Sequence, residues 1–113
     1  MAKWFERRRD RLNKEIEVVK RNYPNAKIIM ERGYLVIFCK IHERKIAYLV
    51  RVVYPKHFPF EEPKAWIVKP LMKNAQHQWK DGSLCIHGIE EVPRVSGKTV
   101  LDLARQWIIK YGN

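Results

Sequence analysis

Glycine, cysteine and acidic side chains are all scarce in this sequence, and each shortage closes off some chemistry. Five glycines, none of them grouped, supply no phosphate-cradling loop, and no Ser-centred nucleophile motif is present. Nothing in the sequence calls for a cofactor. Two cysteines are too few for a disulfide scaffold, and the N-terminus MAKWFERRRDR, charged from its third residue, lacks the apolar core of a secretory signal. The expectation is a cytoplasmic protein with reduced thiols. The longest apolar runs, YLVIFC (34–39) and IAYLV (46–50), fall far short of the roughly 18 residues a membrane span needs, so no membrane association by a spanning helix is expected. Only 12 Asp plus Glu balance 23 Lys plus Arg, a net charge of +11. Such a field attracts nucleic acid, an anionic surface or an acidic protein, without choosing among them.

What is present is the material of one packed domain over residues 1–113. The hydrophobic fraction is 46%, with four Trp, five Tyr and four Phe, which argues for a globule with a single modest core. Residues 3–22 read as one helix: Phe5, Leu12, Ile16, Val19 and Tyr23 recur at spacings of 7, 4, 3 and 4, and Pro24 stops it. Three strand-like runs follow, at 26–31, 34–41 and 45–54, separated by turns around Gly33 and His42-Glu43-Arg44. After the proline-punctuated YPKHFPFEEP comes a fourth run at 65–70. From 71 to 97 no periodicity persists, and an irregular stretch of that length in a compact domain is usually functional or disordered. Its Trp79, Leu84, Cys85, Ile86 and Val92 make it too apolar for disorder. Thr99-Val-Leu-Asp102 reads as a capping box opening a last helix, with Val100, Leu103, Ala104, Trp107 and Tyr111 as its buried stripe. Helices against one face of a four-stranded antiparallel meander define an α+β domain.

Within the irregular stretch, KDGSLCIHG (80–88) places Cys85 just after an Asp81-Gly82 turn signal. Alternate side chains of an extended segment share a face. Leu84 and Ile86 would therefore anchor inward while Cys85 and His87 face out together, leaving an exposed thiol with a candidate base beside it. The bland alternative is Cys85 as a small buried hydrophobe. Cys39, inside an apolar strand, reads as core. The pairs Cys39/His42 and Cys85/His87 could in principle hold zinc, but neither has the spacing of the common structural sites, and no metal is expected.

Three of these features together resemble the ubiquitin-conjugating enzyme family. YPKHFPFEEPKAWIV (54–68) is similar to the family's proline signature between its third and fourth strands. HQWKDGSLC (77–85) resembles its upstream histidine and Asp-Gly-x-Leu-Cys active-site segment, and VLDLARQWIIKY (100–111) resembles the helix that follows. The likeness is to the short bacterial branch found in anti-phage operons, and it covers nearly the whole chain. Eukaryotic members carry His-Pro-Asn where this chain has His77-Gln78-Trp79.

The resemblance implies a UBC-like fold and a transferase acting through a cysteine thioester. Cys85 would be the acyl carrier for the C-terminal glycine of a ubiquitin-like protein or a nucleotidyltransferase. His77 would act as a loop organiser or base, with His87 a further candidate for the chemistry. It also implies that the basic first helix, with Arg7, Arg8, Arg11 and Lys14, meets an activating enzyme or another acidic protein. Nucleic acid is the less favoured partner, since no recognised DNA- or RNA-binding motif is present. A non-catalytic binding scaffold of the same fold is the competing reading.

Overall fold

The computed structural model describes residues 3–70, 72, 77–86 and 96–113. Its elements run α1 (Trp4–Arg7), α2 (Arg9–Asn22), β1 (Lys27–Glu31), β2 (Tyr34–Glu43), β3 (Ile46–Val53), β4 (Lys64–Lys69) and α3 (Gly97–Tyr111). The four strands form one antiparallel sheet in the order β1-β2-β3-β4. This is the expected α+β arrangement of a meander with helices at its N- and C-terminal ends. The Ile/Val/Tyr-rich runs of β1, β2 and β3, joined by two-residue turns, have little choice but to pair as neighbouring antiparallel strands. At the β1–β2 turn both residues have positive φ, 52° at Arg32 and 84° at Gly33, the backbone of a type I′ hairpin turn.

One face of the sheet is the core. Leu35, Ile37, Cys39 and Ile41 of β2, Tyr48, Val50 and Val52 of β3, and Ala65 of β4 are all buried. Against them α3 lays Val100, Leu101, Ala104, Trp107 and Ile108, packing on β2, β3 and β4 and also on α2. Leu103, from the expected stripe, is buried as well, and Tyr111 packs at the edge of the cluster.

Two expectations about the helices need correction. The single N-terminal helix is broken at Arg8, whose φ of −123° and ψ of 68° are not helical. Its N–H closes α1 on the Trp4 carbonyl at 2.8 Å, and its own carbonyl opens α2 by accepting from Leu12 N–H at 3.1 Å. The anchor of α1 is Trp4, 5% exposed, while Phe5 stays partly exposed. The Trp4 ring lies 4.7 Å from Phe58 and 5.6 Å from Tyr54, centroid to centroid. Burying that indole against two rings contributes about 2–3 kcal/mol, more than the roughly 1 kcal/mol of an interrupted ladder hydrogen bond.

The second correction concerns α3, which is capped by Ser96 and not by Thr99. Ser96 Oγ accepts from Thr99 N–H at 3.2 Å. Asp102 instead pairs with Lys98 at 2.6 Å and accepts the Tyr23 hydroxyl, tying α2 to α3.

At Gly97, the first residue of the helix, nothing larger fits: a Cβ would stand 1.9 Å from Tyr54 Oη. Glu15, 7% exposed, accepts from both Tyr54 Oη (2.7 Å) and Gly97 N–H (3.0 Å), joining α2, the end of β3 and the start of α3 through one carboxylate. Burial, then the Glu15 charge, pushes the Tyr54 phenol well above its ordinary value, so it remains a donor.

Candidate active site

Cys85 owes its position to a small hairpin built on β4. Gln78 and Leu84 face each other in an isolated antiparallel bridge. Between them Trp79 N–H donates to the Ser83 carbonyl at 2.8 Å, and Gly82 N–H to the Trp79 carbonyl at 2.9 Å, closing a turn over 79–82. Gly82 sits at φ +86°, a conformation that glycine adopts without penalty. Asp81 Oδ1 accepts Ser83 N–H (2.9 Å) and Ser83 Oγ (2.6 Å), the side-chain-to-backbone turn typical of an Asp two residues ahead of its donor. The Ser83 hydroxyl, then its amide, hold the Asp81 carboxyl below the usual carboxylate range, with Lys64 at 3.5 Å assisting. Trp66 of β4 ties down the turn by donating Nε1–H to the Asp81 carbonyl at 3.0 Å.

The strand leading out of this turn is fixed on both sides of the thiol. Leu84 N–H donates to the Ala65 carbonyl at 2.8 Å, and Cys85 N–H to the His77 carbonyl at 2.8 Å. Leu84 and Ile86 are buried at 3% and 7% exposure, and Cys85 between them is partly exposed with a free thiol. Backbone and flanking side chains are thus held while Cys85 itself stays partly exposed. Cys39 differs sharply. It is 1% exposed, its thiol donates to Asn25 Oδ1 at 3.2 Å, and burial pushes it up to about 11.

His77 contributes through its backbone. Its carbonyl takes the Cys85 N–H and also the Trp107 indole N–H at 3.1 Å, linking the cysteine segment to α3. The residue has φ 62°, and its imidazole stacks on Tyr111 with centroids 4.1 Å apart. Among the described residues no hydrogen bond joins that ring to the Cys85 thiol. His87 lies outside the described residues. Trp66, Ser83 and Trp107 were not read from the sequence as parts of this site. Asp81-Gly-Ser83 is a recognisable turn signal, but nothing local tells that the two indoles reach the hairpin from β4 and α3.

The four basic residues expected to meet a partner lie on α1, at the break after it and on α2. Arg8, at the break, and Arg11 and Lys14 of α2 surround a depression they share with Asp10 and Glu15, whereas Arg7 lines a different cavity. Arg8 is paired with Asp10 at 3.1 Å, and the Arg11 guanidinium lies 5.3 Å from the Phe58 ring centroid. Arg7 and Lys14 are exposed. No helix among the described residues is long and apolar enough to cross a membrane.

No family model matches the chain, nor does any curated protein or solved structure.

Proposed function

We propose that this chain has a UBC-like fold and carries acyl groups as a thioester on Cys85, in the manner of ubiquitin-conjugating enzymes. The observation that supports the reading best is the setting of Cys85, a partly exposed thiol between two buried anchors on a segment hydrogen-bonded to β4 and to His77. In the reaction the Cys85 thiolate attacks the carbonyl carbon of a donor thioester, and the donor's cysteine leaves as thiolate. An amine then attacks the Cys85 thioester, gives up a proton, and expels the Cys85 thiolate. Exchange between two thioesters is nearly balanced in free energy, so position and access matter more than a strongly acidic thiol. The proposed donor is the C-terminal glycine of a ubiquitin-like protein or a nucleotidyltransferase, delivered by an activating enzyme to the basic N-terminal face, in bacterial anti-phage defence.

A non-catalytic scaffold of the same fold is the second reading, favoured by the His77 imidazole, which stacks on Tyr111 and makes no hydrogen bond to the thiol. Co-expression with the neighbouring genes separates the two. The acyl-carrier reading expects a reductant-sensitive adduct, a more durable ester in Cys85→Ser, and none in Cys85→Ala. Absence of an adduct in both wild type and Cys85→Ser favours the scaffold.

A further inference from the structure

Away from the cysteine hairpin, α1, the β1–β2 turn and the segment after β3 enclose a cavity of about 480 Å³. None of residues 77–86 lines it. Lys3, Arg7, Arg32 and Lys56 stand around it, and no carboxylate lines it. None of the four cations makes an ion pair among the described residues, although pairs are frequent elsewhere on this surface. Two of them rest over aromatic faces: Lys3 Nζ is 5.8 Å from the Phe5 ring centroid and Lys56 Nζ 5.9 Å from that of Tyr34. Its floor includes buried Trp4, Leu35 and Tyr54.

We propose that this cavity binds a nucleoside phosphate: Lys3 and Lys56 turn from the Phe5 and Tyr34 faces to join Arg7 and Arg32 on the phosphate, and the base takes their place against the two rings. Four positive charges without an ion pair among the described residues, around a concave, low-dielectric wall, concentrate the field on an anion, and guanidinium and ammonium groups both suit phosphate oxygens. Cations alone would fit any anion. The aromatic walls add a preference for a planar ring, because bases stack on such faces irrespective of sequence. The volume falls in the range of single small-ligand pockets, which favours one nucleotide over a polymer strand. At the rim Arg32 and Gly33 both sit at positive φ, and the bare Gly33 lets Lys3 come close: a Cβ there would stand 3.1 Å from Lys3 Nζ.

Titration calorimetry on the full chain tests this with adenosine monophosphate, adenosine and inorganic phosphate as separate probes. The expected result is saturable binding of the monophosphate, with adenosine and phosphate each at least about tenfold weaker. Arg32→Gln and Lys56→Gln should each weaken the monophosphate about fivefold or more. Tyr34→Leu should weaken the monophosphate but leave phosphate unaffected. Lys45→Gln, in the turn at the opposite end of β3, should change nothing. The proposal is overturned by lack of saturable binding, by phosphate binding as tightly as the monophosphate, or by Lys45→Gln weakening binding as much as Lys56→Gln. A single-stranded decanucleotide that binds more tightly than the monophosphate and is equally sensitive to both lysines would overturn it too, exposing general charge attraction.

Discussion

Cys39 and Cys85 carry the same thiol into opposite circumstances. Cys39 is sealed in the sheet and raised to about 11 by burial, so at pH 8 only about one in a thousand of these thiols would be ionised even if a reagent could reach it. Cys85 stands partly exposed between anchored neighbours. Iodoacetamide at that pH should therefore label Cys85 at least about tenfold faster than Cys39, read by peptide mass spectrometry; equal rates in the folded protein would contradict this placement. Asp81 gives a second test at this scale. Its folded value lies below the ordinary 3.8, so the order it confers on the Ser83 turn is present above the unfolded value and lost as pH falls through the folded one. The Ser83 amide resonance should stay constant near neutrality and move in acid below about 3.8, and Asp81→Asn should abolish that step. A wild-type resonance that titrates like the variant's would show that the Asp81–Ser83 bonds do not hold the turn.

At the scale of elements, strands and helices differ in how much of them the sequence made legible. The meander could be read because runs rich in Ile, Val and Tyr, broken by short turns, mark the strands independently of their neighbours. Alternation along an extended segment put Leu84 and Ile86 on the inner side of Cys85. The helix ends were less readable because tertiary contacts decided them. Trp4 displaced Phe5 as the anchor through rings contributed by Tyr54 and Phe58. Ser96 replaced Thr99 as the cap, and the Gly97 beside it is held against Tyr54 and Glu15, contacts that come from distant parts of the chain. Glu15 carried a signal that could have been used: it stands on the same helical stripe as Leu12 and Val19, where a carboxylate has no reason to be unless something buried needs it. Glu15→Gln should cost about 2 kcal/mol in urea unfolding, since hydrogen bonds to a buried charged acceptor are among the stronger ones. A loss under about 0.5 kcal/mol would mean the three elements are joined by apolar packing alone.

Across the whole molecule, labour divides between two regions. A hairpin braced by Trp66 of β4 and Trp107 of α3 presents one thiol, while the positive charge gathers around α1, α2 and the β1–β2 turn. The first region is where the proposed chemistry occurs, and the second is where anionic ligands or acidic surfaces would be drawn in. The region 87–95, with His87 and Val92, lies outside the described residues, so the proposed acyl chemistry rests on Cys85 and the backbone of His77. The most direct measurement is a single-turnover discharge: isolate the chain bearing its adduct, add free lysine, and follow both species by intact mass. Loss of the adduct from Cys85 with matching appearance of acyl-lysine is the predicted result. An adduct that persists in lysine, or that maps to any residue other than Cys85, would contradict the account.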